Sequence, residues 1–196
     1  MLTVRTLSGS HSELAAHWRQ LVAIWIVFFM TAGITYLTPP IFLPALMREF
    51  GSTQYGIAWL PAAFQLVKGG FTIPGGFAVH RYGITKCMRC GTIIIILVSA
   101  CYPFAQSLWM LGLLHGIYGL AYNLSGLAAV IIFATSWFEH QRSCAIGILV
   151  TAFSVAGVVF PPLMAGCVDR LGWRFAAGLC PAVMIIVVLP LVFVVL

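Results

Sequence analysis

The sequence contains very little charge, and acidic residues are the scarcest of all. Of 196 residues, four are Asp or Glu and ten are Lys or Arg, so charged residues make up 7% of the chain and hydrophobic residues 62%. A soluble domain has about 25% charged residues. So few charges cannot cover the surface of a water-soluble fold. We therefore predict that lipid is the main solvent of this chain.

The excess of basic over acidic residues, a net charge of +6, does not indicate a nucleic-acid partner. The cations lie singly between apolar runs, which is typical of the loops on the positive side of a membrane. The cysteines indicate no metal site, because Cys87 and Cys90 form a single CxxC pair with no second pair after it. We predict no metal, no cofactor and no nucleic acid.

Long apolar runs fill most of the chain. A helix needs about 20 apolar residues to cross a bilayer, and runs near that length predict six transmembrane helices. We expect an all-α membrane protein, with a cytoplasmic segment at residues 1–20 and one six-helix bundle at residues 21–196. The predicted spans are residues 21–43, 55–79, 90–106, 108–133, 144–168 and 175–196. In this prediction the first span ends at Pro39, Pro40 and Pro44.

Lysine and arginine in the loops predict the orientation, because cytoplasmic loops carry the excess of both. One side of the predicted bundle has six: Arg5, Arg19, Arg81, Lys86, Arg89 and Arg142. The other side has three: Arg48, Arg170 and Arg174. We therefore predict a multi-pass protein of the plasma or inner membrane with both termini in the cytoplasm.

Two stripes of residues repeat at helical spacing along the fourth predicted span. Small residues form the first stripe, which predicts close packing against another helix; they are Gly112, Gly116, Gly119, Asn123 and Gly126. Polar groups form the adjacent stripe, which predicts a cavity wall or a second helix contact; they are His115, Tyr118, Tyr122 and Ser125.

Lys68 lies near the middle of the second predicted span. A lysine at the centre of a membrane helix raises the free energy of insertion by about 2.5–3.5 kcal/mol. No acidic residue lies in any predicted span, so either a solute supplies the missing counter-charge or the lysine avoids the need for one by losing its proton. We predict that Lys68 binds a small organic anion, that Tyr118, Tyr122 and Thr35 donate hydrogen bonds to it, and that His115 binds a proton. A snorkelling lysine, a packing histidine and a threonine bonded to its own helix stay open as alternatives.

The loop between the second and third predicted spans reads "GFAVHRYGITK". It resembles the GxxxDRxGxxK loop motif of the major facilitator superfamily, with His80 in the place of the aspartate. Gly76, Arg81, Gly83 and Lys86 match. The resemblance implies a gating loop that latches two bundles in the outward-open state, and a histidine would weaken that latch or make it respond to pH.

Two further stretches, "WFEHQRSCAIGI" with Arg142 and "PPLMAGCVDRLGWRF", resemble the branch that includes monocarboxylate transporters and bacterial organic-anion carriers. The family has twelve spans in two six-helix bundles with the substrate between them. The resemblance therefore implies a partner, either a second six-helix half or another copy of the chain.

Together these features predict a secondary transporter, or its N-terminal half, for small organic anions such as monocarboxylates. We expect proton coupling and alternating access. The alternative is a six-span fragment or subunit without transport activity. An intramembrane serine protease is a third reading, because "NLSG" at residues 123–126 resembles its motif. The leading glycine is absent and no histidine follows His140, so we predict that the chain is not an enzyme.

Overall fold

A computed structural model describes residues 17–138 and 141–194, and every regular element in these ranges is a helix. The α-helices are α1 Trp18–Ala32, α2 Pro39–Phe50, α3 Gln54–Ile57, α4 Trp59–Gly70, α5 Thr72–Tyr82, α6 Ile84–Cys101, α7 Leu108–Ser125, α8 Leu127–Trp137, α9 Arg142–Leu171, α10 Trp173–Val183 and α11 Leu189–Val194. The first sixteen residues of the predicted N-terminal segment lie outside the described ranges.

Within residues 17–138 and 141–194, five helical stretches are long and apolar enough to cross a membrane, and the all-α membrane fold is thereby confirmed. They are Trp18–Phe50, Ile84–Phe104, Leu108–Trp137, Arg142–Leu171 and Trp173–Phe193. We refer to them as spans 1, 3, 4, 5 and 6, because they correspond to those predicted spans.

The second predicted span is not one of these stretches. It is divided into two shorter helices. Helices α4 and α5 meet at Phe71, whose φ of −92° and ψ of 4° interrupt the helix. Pro74 has no N–H to donate to the carbonyl of Gly70, and proline and glycine pairs are the usual causes of sharp kinks. We refer to α4 and α5 together as span 2.

Span 1 continues beyond its predicted end. A π-helical turn at Gly33–Leu37 joins α1 to α2, and the hydroxyl and N–H of Thr38 both donate to the carbonyl of Gly33, at 2.8 and 2.9 Å. Pro39 and Pro40 then occupy the first turn of α2, where a missing N–H costs no helical hydrogen bond. The helix therefore does not end at the prolines but runs to Phe50, and the predicted limit of the membrane span stays a prediction.

Spans 2 and 4 pack closely through the predicted stripe of small residues. A Cβ atom on Gly119 would lie 2.5 Å from the carbonyl oxygen of Phe64 and 3.0 Å from the amide nitrogen of Lys68. A Cβ atom on Gly112 would overlap the ring of Trp59 at 2.0 Å. The predicted packing role is confirmed for these two glycines, and their small size sets the distance between the two helices.

At one end of the bundle, Glu49 connects spans 1 and 6. Its carboxylate accepts hydrogen bonds from Nε1 of Trp173 and from Nη2 of Arg174, the latter at 2.6 Å. Arg174 also donates to the carbonyls of Pro103 and Ala105, which follow α6. This acidic residue is therefore paired within the bundle and does not neutralise Lys68.

Candidate functional site

A cavity of about 360 Å³ lies between spans 1, 2, 4 and 5. We call it the Lys68 cavity. It is lined by Tyr36, Lys68, Thr72, Tyr122, Asn123, Leu127, Ala128, Val150 and Phe153. The structure therefore brings two of the predicted site residues, Lys68 and Tyr122, to one cavity, and their binding roles stay predictions.

Three aromatic rings surround the amine of Lys68. Its Nζ atom lies 5.1 Å from the ring centroid of Tyr36, 5.5 Å from that of Tyr122 and 5.7 Å from that of Phe64. Each distance is within the roughly 6 Å range at which the negative face of a ring attracts a cation. The two acidic residues in the described ranges, Glu49 and Asp169, form no ion pair with it. The rings thus hold the ammonium group without neutralising its charge.

The backbone carbonyl of Lys68 is hydrogen-bonded by one side chain from beyond the break in span 2 and by one from span 4. Its carbonyl oxygen accepts from Nδ2 of Asn123 and from Oγ1 of Thr72, both at 2.8 Å. Oδ1 of Asn123 in turn lies 3.4 Å from Oγ1 of Thr72. Because Asn123 belongs to span 4, these bonds couple the position of Lys68 to both helices.

A second cavity, of about 230 Å³, is lined by two more of the predicted site residues, Thr35 and His115. We call it the His115 chamber. It is lined by Thr35, Tyr36, Pro39, Pro40, Pro61, Phe64, Gln65 and His115. Tyr36 lines both cavities, and its ring meets that of Phe64 edge-on at 5.6 Å. Nε2 of Gln65 donates to the hydroxyl of Tyr36 at 3.1 Å.

Thr35 and His115 are both hydrogen-bonded to their own helices. Oγ1 of Thr35 donates to the carbonyl of Thr31 at 2.7 Å, and Nδ1 of His115 lies 2.9 Å from the carbonyl of Leu111. The hydroxyl hydrogen of Thr35 is therefore not available to a solute. The other ring nitrogen of His115, Nε2, is buried and has no hydrogen-bond partner in the described ranges.

Tyr118 is packed between spans 3 and 4, outside both cavities. Its hydroxyl lies 2.9 Å from that of Ser99, and its side chain is 3% exposed. Ser125, the serine of the protease-like motif, is fully buried and donates to the carbonyl of Ala121 at 3.1 Å. The predicted polar stripe of span 4 therefore faces three different environments.

The predicted gating loop lies at the junction of α5 and α6. Its polar residues His80, Arg81 and Lys86 are exposed, and the guanidinium of Arg81 lies over the ring of Tyr82 at 5.6 Å. A Cβ atom on Gly76 would touch nothing within 4 Å. At the start of α9, Arg142 donates through Nε to the carbonyl of Phe138 at 3.0 Å. The side chains of His80, Arg81 and Lys86 are thus accessible to a partner, and the gating role of the loop and of Arg142 stays a prediction.

Gly83 has a backbone conformation that other amino acids rarely adopt. Its φ of 85° and ψ of 149° lie in a region populated almost only by glycine. We expect Gly83→Ala to lower the free energy of unfolding by about 1–3 kcal/mol, which is the cost of such backbone strain. Thermal unfolding of the purified protein in detergent measures the change. Gly76→Ala is the control, since Gly76 is helical and a Cβ atom there meets no neighbour. An equal loss of stability in both variants would contradict the claim that the backbone of Gly83 is strained.

Sequence reasoning missed two of the three aromatic residues that enclose Lys68, Tyr36 and Phe64. Tyr36 directly follows Thr35, the residue predicted to bind the anion, and no feature of the sequence distinguishes it. Phe64 belongs to an apolar face, and Asn123 was assigned only to helix packing. The one available signal was the spacing of Phe64 and Lys68, since residues four apart lie on one face of a helix.

Comparison with known proteins gives relatives for most of the chain. The profile of the Major Facilitator Superfamily matches residues 24–196. A fujikurins efflux protein of Gibberella fujikuroi is 29% identical over 134 residues, which are 66% of this chain and 28% of that protein. The uncharacterized MFS-type transporter YcxA of Bacillus subtilis is 25% identical over 151 residues, or 76% of this chain and 37% of that protein. Monocarboxylate transporter 11 of Mus musculus is 26% identical over 147 residues, or 72% and 32%. The chain thus spans about a third of the length of these relatives.

Proposed function

Because the chain belongs to the Major Facilitator Superfamily, we propose that it forms the cation-bearing half of a secondary transporter for small organic anions such as monocarboxylates. The observation that carries the proposal is the environment of Lys68. Its amine lines a cavity, three aromatic rings hold it, and neither described acidic residue pairs with it. A cation placed in this way can be paired by the carboxylate of a visiting solute.

The cavity suits a small solute in size and lining. Its volume of about 360 Å³ lies in the range of about 300–1,000 Å³ typical of small-molecule sites. Its walls are largely apolar, with polar groups concentrated near Lys68 at Tyr36, Thr72, Tyr122 and Asn123. A carboxylate at Lys68 would leave an apolar tail against Val150 and Phe153. Among the relatives, a monocarboxylate transporter carries a name that agrees with this chemistry.

A second six-helix bundle is the partner that this proposal requires, and the glycines support where it would pack. A Cβ atom on six helical glycines would meet no atom within 4 Å: Gly69, Gly70, Gly76, Gly147, Gly157 and Gly166. All six lie in spans 2 and 5. The described helical glycines of the other spans each have a neighbour within 4 Å. Small residues permit close approach of membrane helices, so these two spans present a surface suited to further helices.

The same two spans line the Lys68 cavity, through Lys68 and Thr72 in span 2 and Val150 and Phe153 in span 5. A bundle packed on spans 2 and 5 would therefore cover the open side of this cavity. Rocking of the two bundles would expose Lys68 to each side of the membrane in turn. With the basic loops of Arg81, Lys86 and Arg142 in the cytoplasm, both termini lie there too.

Proton coupling through His115 is the finer part of the proposal. Its Nε2 atom is buried and has no hydrogen-bond partner in the described ranges. Imidazole is the side chain that exchanges protons near neutral pH. Tyr36 and Phe64 lie between His115 and Lys68, since both rings line the His115 chamber and contact the lysine. Coupling would therefore act through the positions of these rings.

Binding and uptake of labelled lactate test the proposal together. The purified protein is assayed for lactate binding in detergent and then reconstituted into liposomes with an inward proton gradient. Binding with uptake supports a carrier formed by copies of the chain, and binding without uptake supports a half that needs a different second bundle. Absence of lactate and pyruvate binding would overturn the anion proposal and favour a six-span fragment without transport activity. Lactamide, the uncharged analogue of lactate, is the control and is expected not to bind at Lys68.

A further inference from the structure

The Lys68 cavity is larger than a short carboxylate needs. Its volume is about 360 Å³, whereas a cavity of about 150 Å³ is enough to hold benzene. Lactate has no more non-hydrogen atoms than benzene, so it would leave more than half of the cavity to water. Water against an apolar wall is unfavourable. The size of the cavity therefore favours a carboxylate with a larger apolar body.

Aromatic rings form the part of the wall next to the Lys68 amine. Tyr36, Tyr122 and Phe153 all line the cavity. The ring of Tyr36 meets that of Phe153 edge-on, with 5.5 Å between centroids, and its centroid lies 6.1 Å from that of Tyr122. Tyr36 and Phe153 are half-buried, so part of each ring surface is accessible to a solute. Aromatic rings attract further rings in edge-on and offset arrangements.

The ring of Tyr36 lies between the cation and Phe153. Nζ of Lys68 is 5.1 Å from the centroid of Tyr36, and that centroid is 5.5 Å from the centroid of Phe153. The amine and Phe153 are therefore neighbours of the same ring. A solute that carries a carboxylate at one end and a phenyl ring at the other can contact both.

The remaining walls exclude a second charge on the solute. Among the described residues that line the cavity, Lys68 is the one with a charged side chain. The amide of Asn123 and the hydroxyl of Thr72 both donate to the backbone carbonyl of Lys68. Leu127, Ala128 and Val150 are aliphatic, so a second carboxylate or an ammonium group would lack a partner, and an unpaired charge away from water is strongly unfavourable.

We propose that the Lys68 cavity selects arylcarboxylates, which are monocarboxylates with an aromatic ring and no second charge, over short aliphatic ones such as lactate. The ring of Phe153 determines this selectivity through its contact with the ring of the solute. The inference rests on the anion proposal, because the carboxylate must pair with Lys68. It adds the chemical class of the rest of the solute.

Equilibrium binding of labelled 3-phenyllactate and labelled lactate to the protein in nanodiscs tests the selectivity. The two probes share an α-hydroxy acid group and differ by one phenyl ring. We expect 3-phenyllactate to bind about 10- to 100-fold more tightly, because burial of a phenylalanine-sized group contributes that much. The cyclohexyl analogue of 3-phenyllactate has the same carbon skeleton without aromaticity. We expect it to bind about 2- to 10-fold more weakly than 3-phenyllactate, because it lacks the attraction between rings.

Phe153→Leu removes the ring and keeps an apolar side chain at this wall. We expect the variant to bind 3-phenyllactate about 2- to 10-fold more weakly than the wild type. Its affinity for lactate is expected to be unchanged, which also shows that the cavity is intact. Phe104→Leu is the control, since Phe104 is 72% exposed at the end of span 3, and it is expected to leave both affinities unchanged. If Phe153→Leu does not fold, the cyclohexyl analogue still tests the contact between rings in the wild type.

The outcomes separate this inference from the anion proposal. Equal affinities for 3-phenyllactate and lactate would overturn the inference alone, as would a preference that is undiminished in Phe153→Leu. Equal binding of the cyclohexyl analogue would show that volume and not aromaticity decides, which also overturns it. Lys68→Met is expected to weaken the binding of both acids. If both affinities were unchanged in that variant, the anion proposal would fail and the inference would fail with it.

Discussion

Lys68→Met is expected to weaken lactate binding roughly 10- to 100-fold. Hydrogen bonds to charged groups contribute about 1.5–3 kcal/mol, and each 1.4 kcal/mol corresponds to a factor of about ten in affinity. Methionine is flexible and apolar, so it can fill the space between the rings of Tyr36, Phe64 and Tyr122 while it removes the charge. Equilibrium binding of labelled lactate to the purified variant measures the loss.

Lys68→Arg is the matched control for charge. A guanidinium group also stacks on aromatic faces and pairs with carboxylates, so this variant is expected to retain most of the lactate binding. Thermal unfolding of both variants shows whether the cavity survives the substitution. Wild-type affinity in Lys68→Met, with an unchanged fold, would remove Lys68 from the binding site and leave the aromatic enclosure as a packing feature.

Gly119→Ala is expected to disrupt both the packing of spans 2 and 4 and the position of Lys68. The added Cβ would lie 2.5 Å from the carbonyl oxygen of Phe64 and 3.0 Å from the amide nitrogen of Lys68. Backbone atoms cannot rotate away as a side chain can, so the two helices must separate. Overpacking of this kind costs about 1–3 kcal/mol, and we expect a loss of that size in thermal unfolding, together with weaker lactate binding.

Gly69→Ala provides the comparison, because Gly69 is adjacent to Lys68 in the same helix and a Cβ atom there meets nothing within 4 Å. Alanine favours the helix over glycine by about 1 kcal/mol, so this variant is expected to be as stable as the wild type or slightly more so. Similar losses in the two variants would contradict the view that the contact at Gly119 sets the distance between spans 2 and 4.

The fold was largely predictable because its signals are local. Apolar runs long enough to cross a bilayer identified the five spanning stretches of the described residues, and the repeat of small residues in span 4 identified the face that packs on span 2. Span ends were less predictable, since a proline has opposite effects in different places. Pro39 and Pro40 begin α2 without a lost hydrogen bond, whereas Pro74 deprives the Gly70 carbonyl of its donor and span 2 is divided there.

The candidate site was predictable only in part. The cost of a charge in hydrocarbon identified Lys68, and helical spacing placed Tyr122 near it in the cavity. Tyr118 and His115 share the stripe of Tyr122, but Tyr118 meets Ser99 of span 3 and His115 lines a separate chamber. Spacing along the sequence predicts which residues share one face of a helix. Which neighbouring helix each of these residues contacts depends on how the other helices pack.

The sequence by itself determined the lipid solvent, the helical spans and the close packing of span 4. Scarcity of charge and the spacing of small residues can both be read from a single segment of the chain. Only the tertiary structure decided that Tyr36 and not Thr35 meets Lys68. A π-helical turn at Gly33–Leu37 inserts extra backbone into span 1, and one residue turns a helix by about 100°. Such a turn is stabilised by contacts with other spans, including the hydrogen bond from Gln65 to Tyr36, and these contacts form only when the helices assemble.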